Sequence, residues 1–304
     1  DCLLSRGLGD VYKRQALEKE IDYTAEQYRE RHLNTIYIGG GTPTTLAPYQ
    51  LDRLIRKIKS SFDLSHLLEF TVEAGRPDSI TKEKLEVLRS HGISRISINP
   101  QTMKQETLEI IGRHHTVEQT VQSFLTAREL GFDNINMDLI VGLPNENLED
   151  VRHTMEQLEE LQPDNITVHS LAIKRAARLN MFKEDYTNLK MENTWEHIEV
   201  TADYCKRMGL QPYYLYRQKN MAGNFENVGY AKEGKAGIYN ILIMEEKQTI
   251  VACGAGASTK RVWNTPNPDG THRIERCENV KDVALYIERI DEMIERKKRL
   301  FAEE

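Results

Sequence analysis

Short β-prone runs alternate with stretches of helical period from residue 16 to residue 171, and this alternation constrains the fold more than any other feature of the chain. The runs are TIYI (35–38), Leu68–Glu73, Arg95–Asn99, Ile135–Val141 and Ile166–Leu171. Between them lie helical stretches at Tyr49–Ser60, Thr81–His91, Val117–Leu130 and Leu148–Leu161, with Ala16–Arg31 ahead of the first. Leu51, Leu54, Ile55 and Ile58 take the i, i+3, i+4, i+7 positions of one helical face. Thr116 and Gln119 form a capping box, and Gly92 and Gly131 stand where helices stop. Strands separated by helices of about 10–15 residues imply parallel βαβ units with right-handed crossovers.

Side chains alternate across a strand, so each run has two faces. Ile36 and Ile38 oppose Thr35 and Tyr37; Leu68, Phe70 and Val72 oppose Glu69, Thr71 and Glu73. Ile96 and Ile98 oppose Arg95, Ser97 and Asn99; Ile135, Met137 and Leu139 oppose Asn134, Asn136 and Asp138; Ile166 and Val168 oppose Thr167 and His169. One apolar row packs on helices, which leaves a polar row. A doubly wound sheet would need two apolar faces, and a closed small barrel would fill its lumen with Val, Ile and Leu. The fold class is therefore α/β, an open or wide curved barrel holding a polar ligand. Glu73, Gln101 and Asp138 sit at or near the carboxyl ends of their strands, where such barrels place their sites. A buried carboxylate needs a partner. A ligand amine or ribose hydroxyls would serve, and so would Arg95 or Arg113.

Downstream, the pattern predicts a helix over Glu192–Met208, an aromatic run PYYLY (212–216), and a final helix over Val280–Arg299. YNILIM (239–244) and QTIVAC (248–253) read as a hairpin-like strand pair. A soft domain boundary falls near residue 180. Residues 1–15 show neither period and read as a junction outside the fold, giving expected divisions 1–15, 16–180 and 181–304.

A formal net charge of −6 disfavours nucleic-acid or membrane partners, and no apolar run of spanning length exists. The expectation is a cytoplasmic protein. Cys2, Cys205, Cys253 and Cys277 are too scattered for a CxxC-type metal site, so no metal-ligating residue is expected and the thiols read as reduced. Gly39-Gly40-Gly41-Thr42-Pro43 directly follows the first strand. Its glycines permit positive φ and close backbone approach to a ligand. Neither GxGxxG nor a following GKS or GKT is present, which removes most support for nucleotide phosphate binding. Taken alone, the turn fits a ligand site and a plain tight turn equally.

The motifs YIGGGTPT, VEAGRPD (72–78), RISINPQT (95–102), IGRHHT (111–116), NINMDLIVGLP (134–144) and YLYRQKNMAGNFENVGY (214–230) are collinear. Together they resemble the radical S-adenosylmethionine (SAM) superfamily, in its oxygen-independent coproporphyrinogen III oxidase-like branch and the HemZ-type coproporphyrinogen dehydrogenases within it. The resemblance covers nearly everything from residue 16 onward. It implies a partial, open TIM-like radical SAM barrel with a smaller α+β C-terminal region.

The resemblance implies further that Gly40, Gly41 and Thr42 contact SAM and that Glu73 is the SAM-binding glutamate. Gln101, Arg113, Asp138 and Ala172 match positions lining the SAM sites, and Ser258 in ACGAGAST (252–259) matches another contact. Arg113 also reads as a helix-end cation, and His114 and His115 as surface or capping residues. Tyr213, Tyr214 and Tyr216 read as core or as a platform for a tetrapyrrole. Arg217 and Lys219 are candidates for steering propionates, or ordinary surface cations.

The family's cofactors are SAM and a 4Fe-4S cluster on three cysteines. Those cysteines and the first barrel strand are expected upstream of residue 16, so this stretch alone is expected to be inactive. The implied substrate is a tetrapyrrole, coproporphyrinogen III converted to protoporphyrinogen IX, with a reductant the sequence does not identify. A heme-binding chaperone on the same barrel and an α/β phosphate-ester binding protein are the alternatives.

Overall fold

A computed structural model describes residues 3–171, 192, 194–216 and 227–302. The chain forms two compact units, both discontinuous in sequence: residues 35–53 with 68–241, and residues 1–34 with 54–67 and 242–304.

The larger unit is built on a seven-stranded sheet. In chain order its strands are β1 (Thr35–Ile38), β2 (Glu69–Gly75), β3 (Arg95–Gln101), β4 (Ile135–Val141), β5 (Asn165–Ser170), β6 (Gln211–Tyr216) and β7 (Asn227–Ala231). In space the order is β1-β2-β3-β4-β5-β7-β6. The first five pair in parallel, while β7 runs antiparallel to both β5 and β6. The sheet curls as a half-barrel, so the expected open α/β barrel holds.

The apolar row is the core. Val72, Ile96, Ile98, Ile135, Met137, Ile166 and Val168 are all buried. The helices α2 (Pro48–Ser61), α3 (Lys82–Ser90), α4 (Gln105–Ile110), α5 (Val117–Glu129) and α6 (Leu148–Leu161) intervene between the parallel strands. Of these, α3, α5 and α6 bury Leu85, Leu88, Phe124, Met155 and Leu158. Burying one such side chain contributes about 1.5–3 kcal/mol, so this layer dominates the unit's stability. Helix starts follow local chemistry. Thr116 and Gln119 form the expected capping box of α5, and Asn147 with Asp150 forms another on α6. The pairing registers of β2 with β3 and of β3 with β4 shift between Glu73 and Gly75 and between Ile98 and Gln101. Such irregularities re-aim side chains at strand ends.

After β5 come α7 (Trp195–Arg207) and, following β7, α8 (Ile238–Glu245). The latter corrects the expectation of a strand at 239–244. Glu69, buried on β2, accepts hydrogen bonds from the backbone N–H groups of Ile238 (2.7 Å) and Tyr239 (3.2 Å). A carboxylate at a helix N-terminus satisfies orphan donors and favours the helix, and no local pattern announces it. Residues 248–253 form no strand either; only Ile250 makes an isolated bridge, to Lys260.

The smaller unit contains α1 (Leu3–Gln27), the hairpin β8 (Ser258–Pro266) and β9 (His272–Glu278), and the helices α9 (Val283–Glu288) and α10 (Ile290–Ala302). Helix α1 thus begins at Leu3, within the stretch read as irregular. Ala16, Tyr286, Ile290, Met293 and Ile294 make its apolar centre. Beside it Glu20 is wholly buried. Its carboxylate takes Lys297 Nζ, Asn279 Nδ2 (2.7 Å), Gly254 N–H (2.8 Å) and Tyr286 OH (2.5 Å). Every lone pair is used, which a buried charge requires. No described helix is long and apolar enough to cross a membrane.

Candidate functional site

The polar row of the sheet forms one connected network. Tyr37 OH donates to Glu73 Oε2 (3.3 Å), and Asn99 Nδ2 donates to Glu73 Oε1 (3.4 Å). Ser97 Oγ donates to Asn99 Oδ1 (2.7 Å). Asn136 Nδ2 lies 2.8 Å from Ser97 Oγ and 2.7 Å from Asp138 Oδ1. Thr167 Oγ1 donates to Asn136 Oδ1 (3.1 Å), and His169 Nε2 stands 3.8 Å from Asp138 Oδ2. The network therefore crosses five adjacent strands, each contributing through the alternation visible in sequence. Tyr37 stacks on Tyr239 with ring centroids 4.5 Å apart.

Two carboxylates in this row are driven in opposite directions. Burial pushes Glu73 above the usual glutamate range, and the nearby Asp138 charge adds to it. Bonds from the Gly40 N–H, Tyr37 and Asn99 only partly offset this. Burial would also raise Asp138, but hydrogen bonding and charge from His169, with help from Asn136 and Arg95, hold it below the usual aspartate range. A fifth of the Asp138 side chain remains exposed. Asp138 is thus the settled anion, while Glu73 has no cation among the described residues and gains most from one. Among the described residues no ion pair reaches Glu73. Arg95, offered from sequence as its structural partner, instead reaches Asn165 Oδ1 at 3.4 Å near the start of the strands, with its Nε unpaired. There the α8 turn lies so close that a Cβ on Gly237 would stand 3.3 Å from Arg95 Cζ.

The glycine turn meets this row directly. Gly40 (φ +78°) and Gly41 (φ +67°) take left-handed conformations with open space around the missing Cβ. Gly39 is different. A Cβ there would stand 2.3 Å from Tyr37 Cε1 and 2.8 Å from Glu73 Oε2. Its need for glycine is steric and comes from the protein's own side chains. Thr42 packs beside Gly75 at the exit of β2, its Cγ2 3.1 Å from where a Cβ on Gly75 would lie.

The remaining predicted residues fall in several places. Gln101 ends β3 with φ +69°, a strained value for a residue with a Cβ. Thr102 behind it is buried and donates to the buried Glu146 at 2.5 Å. Arg113 is half-buried, and burial, then Arg76, lowers its pKa against the opposing pull of Asp78. Asp78 is itself held by a two-pronged bond from Arg76 (3.2 and 2.8 Å). His115 is not a surface histidine. It is 1% exposed, its Nε2 lies 3.1 Å from the Pro100 carbonyl, and burial lowers its pKa. His114 is exposed.

Tyr213 and Tyr214 are half-buried and Tyr216 is exposed. Ser258 belongs to the smaller unit, exposed at the start of β8. Ala172, Arg217 and Lys219 lie outside the described residues.

Among the described residues no three Cys, His, Asp or Glu side chains converge as metal ligands. Cys205 is buried on α7 in the larger unit, while Cys253 and Cys277 are in the smaller one. The described side chains do not fit an iron–sulfur cluster. The polar row does fit a cationic, hydroxyl-bearing ligand. It offers a desolvated carboxylate with no ion-pair partner among the described residues, a second fixed anion, and backbone freed of Cβ atoms next to the first.

Comparison with known proteins agrees with this geometry. The family model described as the radical SAM superfamily matches residues 4–158. The oxygen-independent coproporphyrinogen-III oxidase-like protein HemZ of Bacillus subtilis is 44% identical over 284 residues, covering 92% of this chain and 56% of its own. The heme chaperone HemW of the same organism is 34% identical over 248 residues, 80% of this chain and 61% of its own. The chain thus spans a little over half the length of these relatives. The solved structure of coproporphyrinogen III oxidase (HemN) from Escherichia coli, a radical SAM enzyme, superposes with a TM-score of 0.71 at 22% identity. It covers 94% of this chain and 63% of that one, and establishes the shared fold.

Proposed function

The chain belongs to the radical SAM superfamily, and on that premise we propose that the protein it forms part of binds SAM along the polar row and oxidatively decarboxylates coproporphyrinogen III. The observation that carries the reading is the juxtaposition of Glu73, raised by burial and without a cation among the described residues, with the Gly40–Gly41 turn and the ionised Asp138. Glu73 would take the ligand's ammonium, the backbone of Gly40 and Gly41 with Thr42 its methionine end, and Asp138 its ribose hydroxyls. Gln101 and Arg113 would line the same mouth, and Ala172 and Ser258 remain proposed contacts from the family resemblance. SAM bound with a reduced iron–sulfur cluster supplies hydrogen-atom abstraction in this superfamily.

The chain's own residues do the holding. Binding an ammonium beside Glu73 replaces the water that burial removed, so ligand binding and Glu73 ionisation reinforce one another. Asn99, Ser97 and Asn136 link the two carboxylates through fixed hydrogen bonds and so hold their spacing. Two of the substrate's propionates would each become a vinyl group with loss of carbon dioxide, a hydrogen atom and one electron, the electron passing to a one-electron acceptor. The similarity to HemW supports a second reading, a heme-binding chaperone on the same barrel.

Anaerobic reconstitution of the full-length protein, followed by reduction with SAM and coproporphyrinogen III present, separates the two. Formation of 5′-deoxyadenosine with protoporphyrinogen IX is the expected result. Tight heme binding with coproporphyrinogen unchanged would overturn it in favour of the chaperone. Binding of sugar phosphates in preference to SAM would overturn both.

A further inference from the structure

The glycine turn is anchored from outside the sheet. Thr44, fully buried just after Pro43, donates its hydroxyl to the Ala74 carbonyl at 2.5 Å and lies 2.6 Å from Ser79 Oγ. Ser79 Oγ in turn reaches the Arg76 carbonyl at 2.8 Å. These contacts join two segments on either side of β2, the turn that follows β1 and the exit of β2 itself. Into this corner α3 sends Lys84. Its ammonium donates to the Thr44 carbonyl at 2.5 Å and to the Ser79 carbonyl at 2.9 Å.

Among the described residues Lys84 forms no ion pair, and Glu83 is the one carboxylate whose charge acts on it. Burial lowers its pKa below the usual lysine range. An ammonium placed where burial penalises it, with only backbone carbonyls as partners, is a poor way to add stability; an apolar side chain would fill the corner without desolvating a charge. What the ammonium does and a methyl group cannot is hold two carbonyls from separate segments at once, since it carries three donors on one atom.

We propose that Lys84 is a positioning residue for the ligand-binding turn: by bridging the carbonyls of Thr44 and Ser79 it keeps Gly40 and Gly41 in register with Glu73 at the end of β2. The hydrogen bond from the Gly40 N–H to Glu73 is the contact that depends on this register. The inference deepens the reading that this turn binds SAM and rests on it.

The test uses the full-length protein carrying Lys84→Met, Lys84→Gln or Lys84→Arg, with two measurements. Amide hydrogen exchange is followed by mass spectrometry, and SAM affinity by titration calorimetry. Lys84→Met and Lys84→Gln should speed exchange across residues 39–46 and weaken SAM binding by about tenfold, the loss of a charge-assisted hydrogen bond. Exchange in β4 and β5 should stay at the wild-type rate. Lys84→Arg, which retains several donors, should recover most of both.

Unchanged exchange at 39–46 would overturn the proposal. So would a uniform acceleration through α3, β2 and β3 with no excess at the turn, because that is the mark of a residue that only stabilises. If wild-type protein fails to bind SAM, the functional reading falls, while the exchange data still decide whether Lys84 holds the turn.

Discussion

Substituting alanine at each of the three turn glycines should separate two physical reasons for glycine. At Gly40 and Gly41 the added Cβ meets open space, so the cost is the left-handed backbone alone, about 1–2 kcal/mol each. At Gly39 the backbone is ordinary, but the Cβ arrives 2.3 Å from Tyr37 Cε1, more than an ångström inside normal contact. Tyr37 cannot yield freely, because its ring stacks on Tyr239 and its hydroxyl bonds Glu73. Overpacking of this kind costs about 1–3 kcal/mol.

The raw penalties overlap, so coupling to Tyr37 is the discriminating quantity. Tyr37→Ala removes the clashing ring. Gly39→Ala should therefore couple to it by about 1–2 kcal/mol, the double variant being more stable than the sum of the singles predicts. Gly40→Ala and Tyr37→Ala should add within about 0.5 kcal/mol. Urea unfolding of the full-length protein followed by circular dichroism, with m-values compared across variants, gives the free energy of every single and double variant. Additivity between Gly39→Ala and Tyr37→Ala, or a Gly39→Ala variant as stable as wild type, would refute the steric argument.

Removing one partner of the buried Glu20–Lys297 pair should be severe. Lys297→Met leaves a buried carboxylate with neutral donors only and should cost about 3–5 kcal/mol in chemical denaturation; a loss under about 1 kcal/mol would contradict it. The two sheet carboxylates should show opposite pH signatures. Glu73 has a raised folded pKa, so its ionisation destabilises the fold. Glu73→Gln should be more stable than wild type at pH 8, with the advantage shrinking as pH falls through the elevated value. Asp138 has a depressed folded pKa. Asp138→Asn should be less stable than wild type above the ordinary aspartate value, the gap closing as pH falls through the lower folded one, and parallel pH–stability curves would contradict both. Gln101→Gly should stabilise by up to about 1 kcal/mol, relief of a left-handed residue being partly offset by glycine's larger entropy loss, while weakening SAM binding if the side chain contributes; melting temperature and calorimetry report the two separately.

The sheet was legible because its signal is local. Period two on the strands and period 3.6 on the helices place β1 to β5 within a residue or two, and Ile135–Val141 and Leu148–Leu161 to the residue. The same alternation puts Glu73 and Asp138 on one row. Residues 239–244 failed for a corresponding reason. A short apolar run has no period that distinguishes strand from helix. The outcome was set by Glu69, about 170 residues upstream, bonding the first N–H groups of α8. The hairpin β8–β9 carries its cue in the connecting Asn267-Pro268-Asp269-Gly270, a turn-forming run.

Sequence by itself determined the alternating architecture, the division of each strand into an apolar and a polar face, and the positions of the glycine turn and both carboxylates. Tertiary structure alone decided how those groups behave. It left Glu73 without a cation among the described residues, gave Asp138 the support of His169, buried His115, and set Lys84 against two backbone carbonyls. Patterns along a chain report which way a side chain faces, whereas its charge state and partners depend on what other segments bring within a few ångströms.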